Sequence, residues 1–242
     1  MARRLGTRSR FAVAYLLLGA AVGTAVGALI VLVQRPSPTP PPPWSSWQPA
    51  AASVDARILE IADHVGRGYR LPSGDQLVAI KIGGAQGGAD FQGIAVVNKG
   101  KPSELEDQYG EDETAVFILC GATRTCAIAE GQPSVARGTV LRREALELAL
   151  YTFEYAKPIE NVLIFFPPNK GQKTLSRTLF FRRDELSSHL DKPLRKTLPQ
   201  ARPPLPGRIG AGEKETVDEL TVSRLYRYLG IAQNLIVIQP AA

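Results

Sequence analysis

The strongest constraint on this chain is an uncharged stretch of 23 residues near its start, FAVAYLLLGAAVGTAVGALIVLV at residues 11–33. As an α-helix this stretch would be about 35 Å long, which exceeds the roughly 30 Å hydrocarbon core of a bilayer. A helix in a soluble core is rarely this long and apolar on every side. The sequence therefore predicts a transmembrane helix over residues 11–33.

The residues in front of this stretch set its expected orientation. Residues 1–10, MARRLGTRSR, contain four arginines and no acidic residue. Positively charged flanks stay on the cytoplasmic side, so we expect a cytoplasmic tail over residues 1–10 and an extracytoplasmic chain beyond the helix. A cleaved signal peptide is the alternative, but its apolar core is shorter, about 7–15 residues, and ends in small residues. The pattern favours an uncleaved signal anchor, and hence a single-pass protein of the plasma membrane.

A proline-rich linker is predicted over residues 34–52, because seven of residues 36–49 are proline. Such a segment forms a semi-rigid polyproline II spacer that rises about 3.1 Å per residue. Trp44 and Trp47 interrupt it. Because tryptophan favours sites with one apolar and one wet side, these rings could rest in the membrane interface, dock on the following domain or contact a partner.

Residues 53–242 suit one domain. Apolar residues at helical spacing predict helices at 53–66, 141–156, 184–190 and 215–230. Short apolar runs predict strands at 77–82, 91–98, 115–120, 126–130, 161–166, 174–181 and 234–239. Short turns join several neighbouring strands, with hairpins expected across 82–93 and 167–173. The sequence thus predicts an α+β domain with a mainly antiparallel sheet and three to four helices.

The chain has two cysteines, Cys120 and Cys126, in a C-x5-C spacing. Thioredoxin-like and zinc motifs need C-x-x-C pairs, which are missing. If the strands at 115–120 and 126–130 pair, the cysteines face each other at about 4.5–5.5 Å between Cα atoms, a distance that a disulfide accepts. Because such pairs stay oxidised outside the cytoplasm, we predict a structural disulfide, with a labile redox switch or a reduced pair as alternatives.

The formal net charge of +6 is concentrated near the predicted anchor. Without Arg3, Arg4, Arg8, Arg10 and Arg35, 24 basic residues remain against 23 acidic ones. Nucleic-acid binding needs a basic face that neutralises phosphates, and a near-neutral domain outside the cell is a poor candidate for it, so no nucleic-acid partner is expected.

Charge is nevertheless uneven along the domain, with a net −6 over residues 102–136 and +7 over 137–208. The acidic run ELEDQYGEDE at 104–113 lacks the spacing of a calcium loop and is interpreted as a solvated loop. The two zones could face each other within the fold or present separate faces to partners.

No catalytic, cofactor or metal site is predicted. The glycine-rich run at 82–93 leads into a strand and lacks the Lys-Ser or Lys-Thr of a phosphate loop. His64 and His189 each follow a glutamate by four residues, at Glu60 and Glu185, but closed metal sites need four well-placed ligands.

Carboxylates alone can hydrolyse glycosidic bonds. The candidates for that chemistry are Glu144, Glu147 and Glu154, all on one predicted helix. No other hydrolase motif in the sequence accompanies these three glutamates.

Gly19, Gly23 and Gly27 recur every four residues in the predicted span. This small-xxx-small pattern lines one helix face and favours close packing against a second transmembrane helix. The expected partners are therefore the lipid bilayer and, through this face, another copy of the chain or a different membrane protein.

The leading hypothesis is a membrane-anchored protein of a bacterial envelope whose extracytoplasmic domain is a binding or scaffolding module. One alternative is an anchored hydrolase that acts on wall glycan or lipid through carboxylates. The other is an accessory subunit of a larger membrane complex.

Overall fold

The computed structural model describes residues 7–33, 43–83, 91–121, 126, 134–168, 172 and 174–241. They belong to two compact units, Met1–Pro42 and Pro43–Ala242. The first unit contains helix α1 (Thr7–Val33). Over the residues that the structure describes, none of the helices is both long and apolar enough to cross a membrane. Residues 1–6 of the predicted tail and 34–42 of the predicted linker lie outside these ranges.

In its described residues, the second unit contains four α-helices and eight strands. The helices are α2 (Val54–Gly68), α3 (Val135–Tyr155), α4 (Arg183–Leu190) and α5 (Ala211–Thr221), with short 3-10 turns at Leu194–Lys196 and Val222–Arg224. The strands are β1 (Ala79–Ile82), β2 (Gly93–Asn98), β3 (Lys101–Gly110), β4 (Thr114–Cys120), β5 (Asn161–Phe165), β6 (Arg177–Arg182), β7 (Leu225–Ala232) and β8 (Leu235–Pro240).

The strands form one mixed sheet in the order β1-β4-β5-β6-β7-β8-β2-β3. The pairs β4–β5 and β2–β8 are parallel, and the other neighbours are antiparallel. The α+β class is confirmed. The sheet is mixed, because the chain leaves β4 through α3 and returns beside it as β5, a crossover that aligns the two strands.

The two faces of the sheet carry separate cores. On one face, Phe117, Ile164 and Phe181 pack with the buried sides of the helices. On the other, residues of β4, β5 and β6 pack with Ile94 and Ile238 of β2 and β8. The sheet therefore curls, so that β2 and β8 lie over β4, β5 and β6.

Local capping fixes the ends of the long helices. Ser53 accepts a hydrogen bond from the backbone N–H of Ala56 at the start of α2, and Ser134 accepts one from Arg137 at the start of α3. At the other end of α3, the Arg183 guanidinium donates to the carbonyl oxygens of Phe153, Ala156, Lys157 and Ile159. These contacts satisfy backbone groups that a helix end leaves without partners.

The predicted helix over 215–230 is wrong in its second half. Helix α5 ends at Thr221, and the chain continues as β7. The side chains of Tyr226 and Tyr228 pack against the second core, with Arg227 between them. This alternation is the two-residue period of a strand. Gly230, with φ +137°, lies at a bulge where the β7–β8 register shifts.

The acidic run at 104–113 is also not a loop. Most of it belongs to β3, an edge strand that pairs only with β2 among the described strands. Glutamate and aspartate are depleted in strands, which is why the pattern misleads. Charged residues are nevertheless common on edge strands, where they discourage unwanted pairing.

Of the two expected hairpins, only the second is confirmed. Strands β5 and β6 pair antiparallel with Asn161 opposite Arg182. In contrast, β1 pairs with β4, while β2 pairs with β3 and β8, so the glycine-rich run does not close a hairpin. Residues 84–90 of that run lie outside the described part of the chain.

The Cys120 and Cys126 sulfurs lie at bonding distance, 2.13 Å apart, with 4.2 Å between the Cα atoms. The surroundings differ from the expected strand pair, because β1 and β5 flank β4. Cys126 instead lies in a bend with φ +58°, and its carbonyl accepts a hydrogen bond from Gly121 N at 2.7 Å. Residues 127–130 of the predicted strand lie outside the described residues.

Replacing both cysteines, as C120S/C126S, should lower the free energy of unfolding by about 2 kcal/mol, because the disulfide closes a short loop in the unfolded chain. Denaturant unfolding of the full chain with and without reductant measures this. The variant should be insensitive to reductant. Equal stability of the unmodified chain under both conditions would refute a structural role for the bridge.

Candidate functional site

The most concentrated chemistry in the domain surrounds the buried side chain of Arg143, which is 2% exposed. Its Nε donates to Glu213 Oε1 at 2.7 Å, and its Nη1 donates to Glu147 Oε2 at 2.8 Å and to the Tyr69 hydroxyl. Its Nη2 donates to the carbonyl oxygen of Gln200 at 3.0 Å. One guanidinium thus joins the end of α2, helix α3, the segment before α5 and α5 itself.

Helical spacing and a helix end bring these groups together. Arg143 and Glu147 are four residues apart on α3 and so share a face. Tyr69 follows α2 directly, its hydroxyl donates to Glu147 Oε2 at 2.5 Å, and its ring centroid lies 5.5 Å from the Arg143 guanidinium. Since Arg143 and Glu147 have i,i+4 spacing, the sequence contains a signal for this pair. Nothing local points to Glu213.

Electrostatics hold the cluster in one protonation state. Burial, followed by the charge of Glu147, raises the pKa of Tyr69 well above 10, so the phenol remains a neutral donor. Burial acts to lower the pKa of Arg143, but Tyr69, Glu147 and Glu213 outweigh it and raise that pKa above its usual value. Arg143 therefore stays cationic at every physiological pH.

Glu144, the neighbour of Arg143 on α3, is fully buried. Neither of its carboxyl oxygens has a hydrogen-bond partner among the described residues. Burial, followed by the charge of Glu147, raises the pKa of Glu144 well above 4.5, against the opposing effect of Arg143. Burial therefore favours the protonated form of Glu144.

These positions limit what the three carboxylates considered as candidates for hydrolysis can do. Glu144 is closed off from any glycan, and Glu147 is held by Arg143 and Tyr69. Glu154 lies 3.5 Å from Lys157 in a pair near the end of α3. The cluster joins elements of the helix layer, and the geometry of these three side chains adds no support to the hydrolase hypothesis.

A second cluster is aromatic and involves the predicted linker. The Trp47 ring stacks on His64 with centroids 3.8 Å apart, and Trp44 meets Tyr151 edge-on at 5.3 Å. The Trp44 carbonyl oxygen accepts a hydrogen bond from Leu194 N at 2.8 Å. Of the three roles considered for the tryptophans, docking on the domain is the one that the structure shows.

Polar contacts extend this docking toward α2. Glu60 Oε2 accepts a hydrogen bond from Ala50 N at 2.7 Å, and Arg57 Nε donates to the Ala51 carbonyl oxygen at 2.8 Å. Burial lowers the pKa of His64, as does Arg67, with Asp63 partly opposing them. Glu60 and His64 therefore each contact the docked segment, Glu60 through Ala50 and His64 through the Trp47 ring.

The second histidine pair is also divided. His189 Nδ1 lies 3.0 Å from the Thr197 hydroxyl, whereas Glu185 bridges Arg182 and Arg224. Within the described ranges, no three His, Cys, Asp or Glu side chains are grouped as a metal ion requires.

The glycine face of α1 is open where the structure describes it. A Cβ atom added at Gly19, Gly23 or Gly27 would meet no atom within 4 Å. The proposed packing partner of this face stays a prediction.

Comparison with known proteins gives no direct guide to function. No protein-family model, curated protein or solved structure matches the chain. Functional inference therefore depends on the sequence and on the geometry of the two units.

Replacing Arg143 with methionine should lower the free energy of unfolding by about 3–5 kcal/mol, because Glu213 and Glu147 would keep buried charges without a counterion. The matched control is Arg67→Met, which removes an i,i+4 pair with Asp63 whose side chains are 67% and 61% exposed. That control should cost at most about 0.5 kcal/mol. Denaturant unfolding measures both, and equal effects would contradict a dominant role for Arg143.

Replacing Glu144 with glutamine should stabilise the domain increasingly as the pH rises. Burial in the folded state raises the pKa of Glu144. Its contribution to stability is therefore complete below the pKa that it has in the unfolded chain, near 4.5, and declines as the pH rises toward its pKa in the folded state. The advantage of Glu144→Gln over the unmodified chain should therefore grow by up to about 1.4 kcal/mol per pH unit above that point. Unfolding measured from pH 4 to pH 8 tests this, and a pH-independent difference would contradict it.

Proposed function

We propose that this chain is a single-pass, membrane-anchored envelope protein whose extracytoplasmic domain is a binding or scaffolding module. The uncharged run at 11–33 and the arginines of residues 1–10 support the anchor and its orientation. The bonded cysteine pair suits the oxidising side of a membrane.

One observation carries the binding role: the helix layer covers only part of the sheet. Helices α2, α3 and α4 contact β1, β5 and β6. On the other half, formed by β7, β8, β2 and β3, Leu105 and Leu229 are 56% and 46% exposed. Leu105 pairs with Val97. Because side chains alternate along a strand, this pairing places Leu105 on the sheet face opposite to Ile94 and the second core. Leu105 therefore exposes an apolar side chain on that face, where we place the proposed contact surface.

The edge of this half is acidic. Glu104, Glu106 and Asp107 are exposed on β3, and within the described residues only Glu104 has an ion-pair partner, Lys101 at 2.9 Å. The outer edge of β3 has no neighbouring strand in the described part of the sheet. An edge of this kind suits a partner segment with basic and apolar side chains, which could add to it as an extended strand.

A photo-crosslinking amino acid at position 105, on β3, should capture a partner in the native membrane. The matched control is position 59 on α2, where the natural residue is also leucine and is equally exposed at 56%. We expect a discrete adduct from position 105, reduced by the substitutions Glu104→Gln, Glu106→Gln and Asp107→Asn, and none from position 59. The absence of an adduct at 105, or equal adducts from both positions, would contradict binding through this half of the sheet.

A further inference from the structure

A basic segment lies on the side of the domain that receives the linker. Residues 192–212, KPLRKTLPQARPPLPGRIGAG, contain five basic residues and no acidic one. The basic side chains are Lys192, Arg195, Lys196, Arg202 and Arg208. In a domain that is otherwise close to neutral, this is a local excess of positive charge.

The fold holds this segment at the surface. Leu194 and Leu198 are buried in the helix-face core, and Arg143 holds the Gln200 carbonyl oxygen at 3.0 Å. Pro203 lies against α2, where its ring is 3.1 Å from a Cβ atom placed on Gly68. Leu194 and Leu198 are turned inward, and together with the Gln200 contact they fix the backbone of this part of the segment.

The charges of the segment point outward and are not neutralised. Arg195, Lys196, Arg202 and Arg208 are exposed, and Lys192 is half-buried. None of the ion pairs among the described residues includes any of these five side chains. By contrast, Arg142, Arg143 and Arg183 all have carboxylate partners. Unpaired basic groups that share one segment favour an anionic partner.

The segment is hydrogen-bonded to the stretch by which the chain enters the compact unit. Leu194 N donates to the Trp44 carbonyl oxygen at 2.8 Å, and Trp44 is the second residue of the compact unit that starts at Pro43. Only residues 34–42 separate Pro43 from Val33, the end of α1. The basic segment is therefore hydrogen-bonded to the stretch by which the chain enters the compact unit.

We infer that residues 192–208 bind the anionic headgroups of the bilayer in which the chain is anchored. Basic clusters beside a membrane anchor bind anionic lipids, and the attraction fades beyond a Debye length of about 10 Å. Leu205, 37% exposed between the charged residues, supplies an apolar side chain for the interface. The inference rests on the membrane anchoring of the proposed function and adds a lipid-binding face to the domain.

The test uses the full chain reconstituted into nanodiscs of zwitterionic lipid alone or with one third anionic lipid. Hydrogen–deuterium exchange over residues 192–208 should slow several-fold in the anionic discs, and high salt should abolish the difference. The substitutions Arg195→Gln, Lys196→Gln and Arg208→Gln together should also abolish it. The matched control, Lys81→Gln, Lys99→Gln and Arg227→Gln, removes three exposed charges elsewhere on the domain and should preserve it.

Exchange rates that are independent of lipid charge, or that respond equally to both triple substitutions, would overturn the inference. Carbonate extraction of native membranes separates this failure from failure of the proposed function. If carbonate releases the chain, the anchor is wrong and the lipid contact is wrong with it. If the chain stays in the membrane while its exchange ignores headgroup charge, the lipid-binding face alone is refuted.

Discussion

The rest of the domain depends on the buried charge of Arg143. A guanidinium removed from water must be surrounded by acceptors, and the chain supplies them from α3, α5 and the Gln200 backbone. Because these groups come from distant parts of the sequence, their contacts fix the helix layer in one arrangement. The same contacts hold the segment around Gln200 in place, which leaves its basic side chains facing outward. Glu144 is buried beside this charge without a hydrogen-bond partner among the described residues, and burial raises its pKa because it disfavours the charged form.

The linker and the domain are less separate than the composition suggests. A run of prolines predicts a spacer up to residue 52, yet Trp44 and Trp47 belong to the aromatic cluster of the folded unit. Stacking on His64 and the hydrogen bond between Trp44 and Leu194 bind this stretch to α2 and to the segment after α4. The part of the linker that can act as a spacer is therefore shorter, and the chain enters the domain beside the basic segment.

Much of the fold follows from local patterns, whereas the candidate sites do not. Apolar runs identify β4, β5 and β6, and Ser53 with the helical spacing of Ile58 and Val65 identifies α2. The acidic strand β3 and the tyrosine-rich β7 escape prediction, because tertiary pairing decides their structure against local propensity. The pairing of β1 with β4 joins residues that are distant in sequence, so a short turn misleads there. The spacing of Arg143 and Glu147 is visible in the sequence, but its completion by Glu213, 70 residues away, needs the fold.

The strand order also constrains when the domain can fold. Strands β2 and β3 pair with the remaining sheet only through β8, which follows every other described strand in the chain. An emerging polypeptide therefore lacks the backbone pairing between this acidic ribbon and the rest of the sheet until β8 has been delivered. Formation of the β7–β8 hairpin completes the sheet. Removing β8 would detach β2 and β3, which lie more than a hundred residues earlier in the chain.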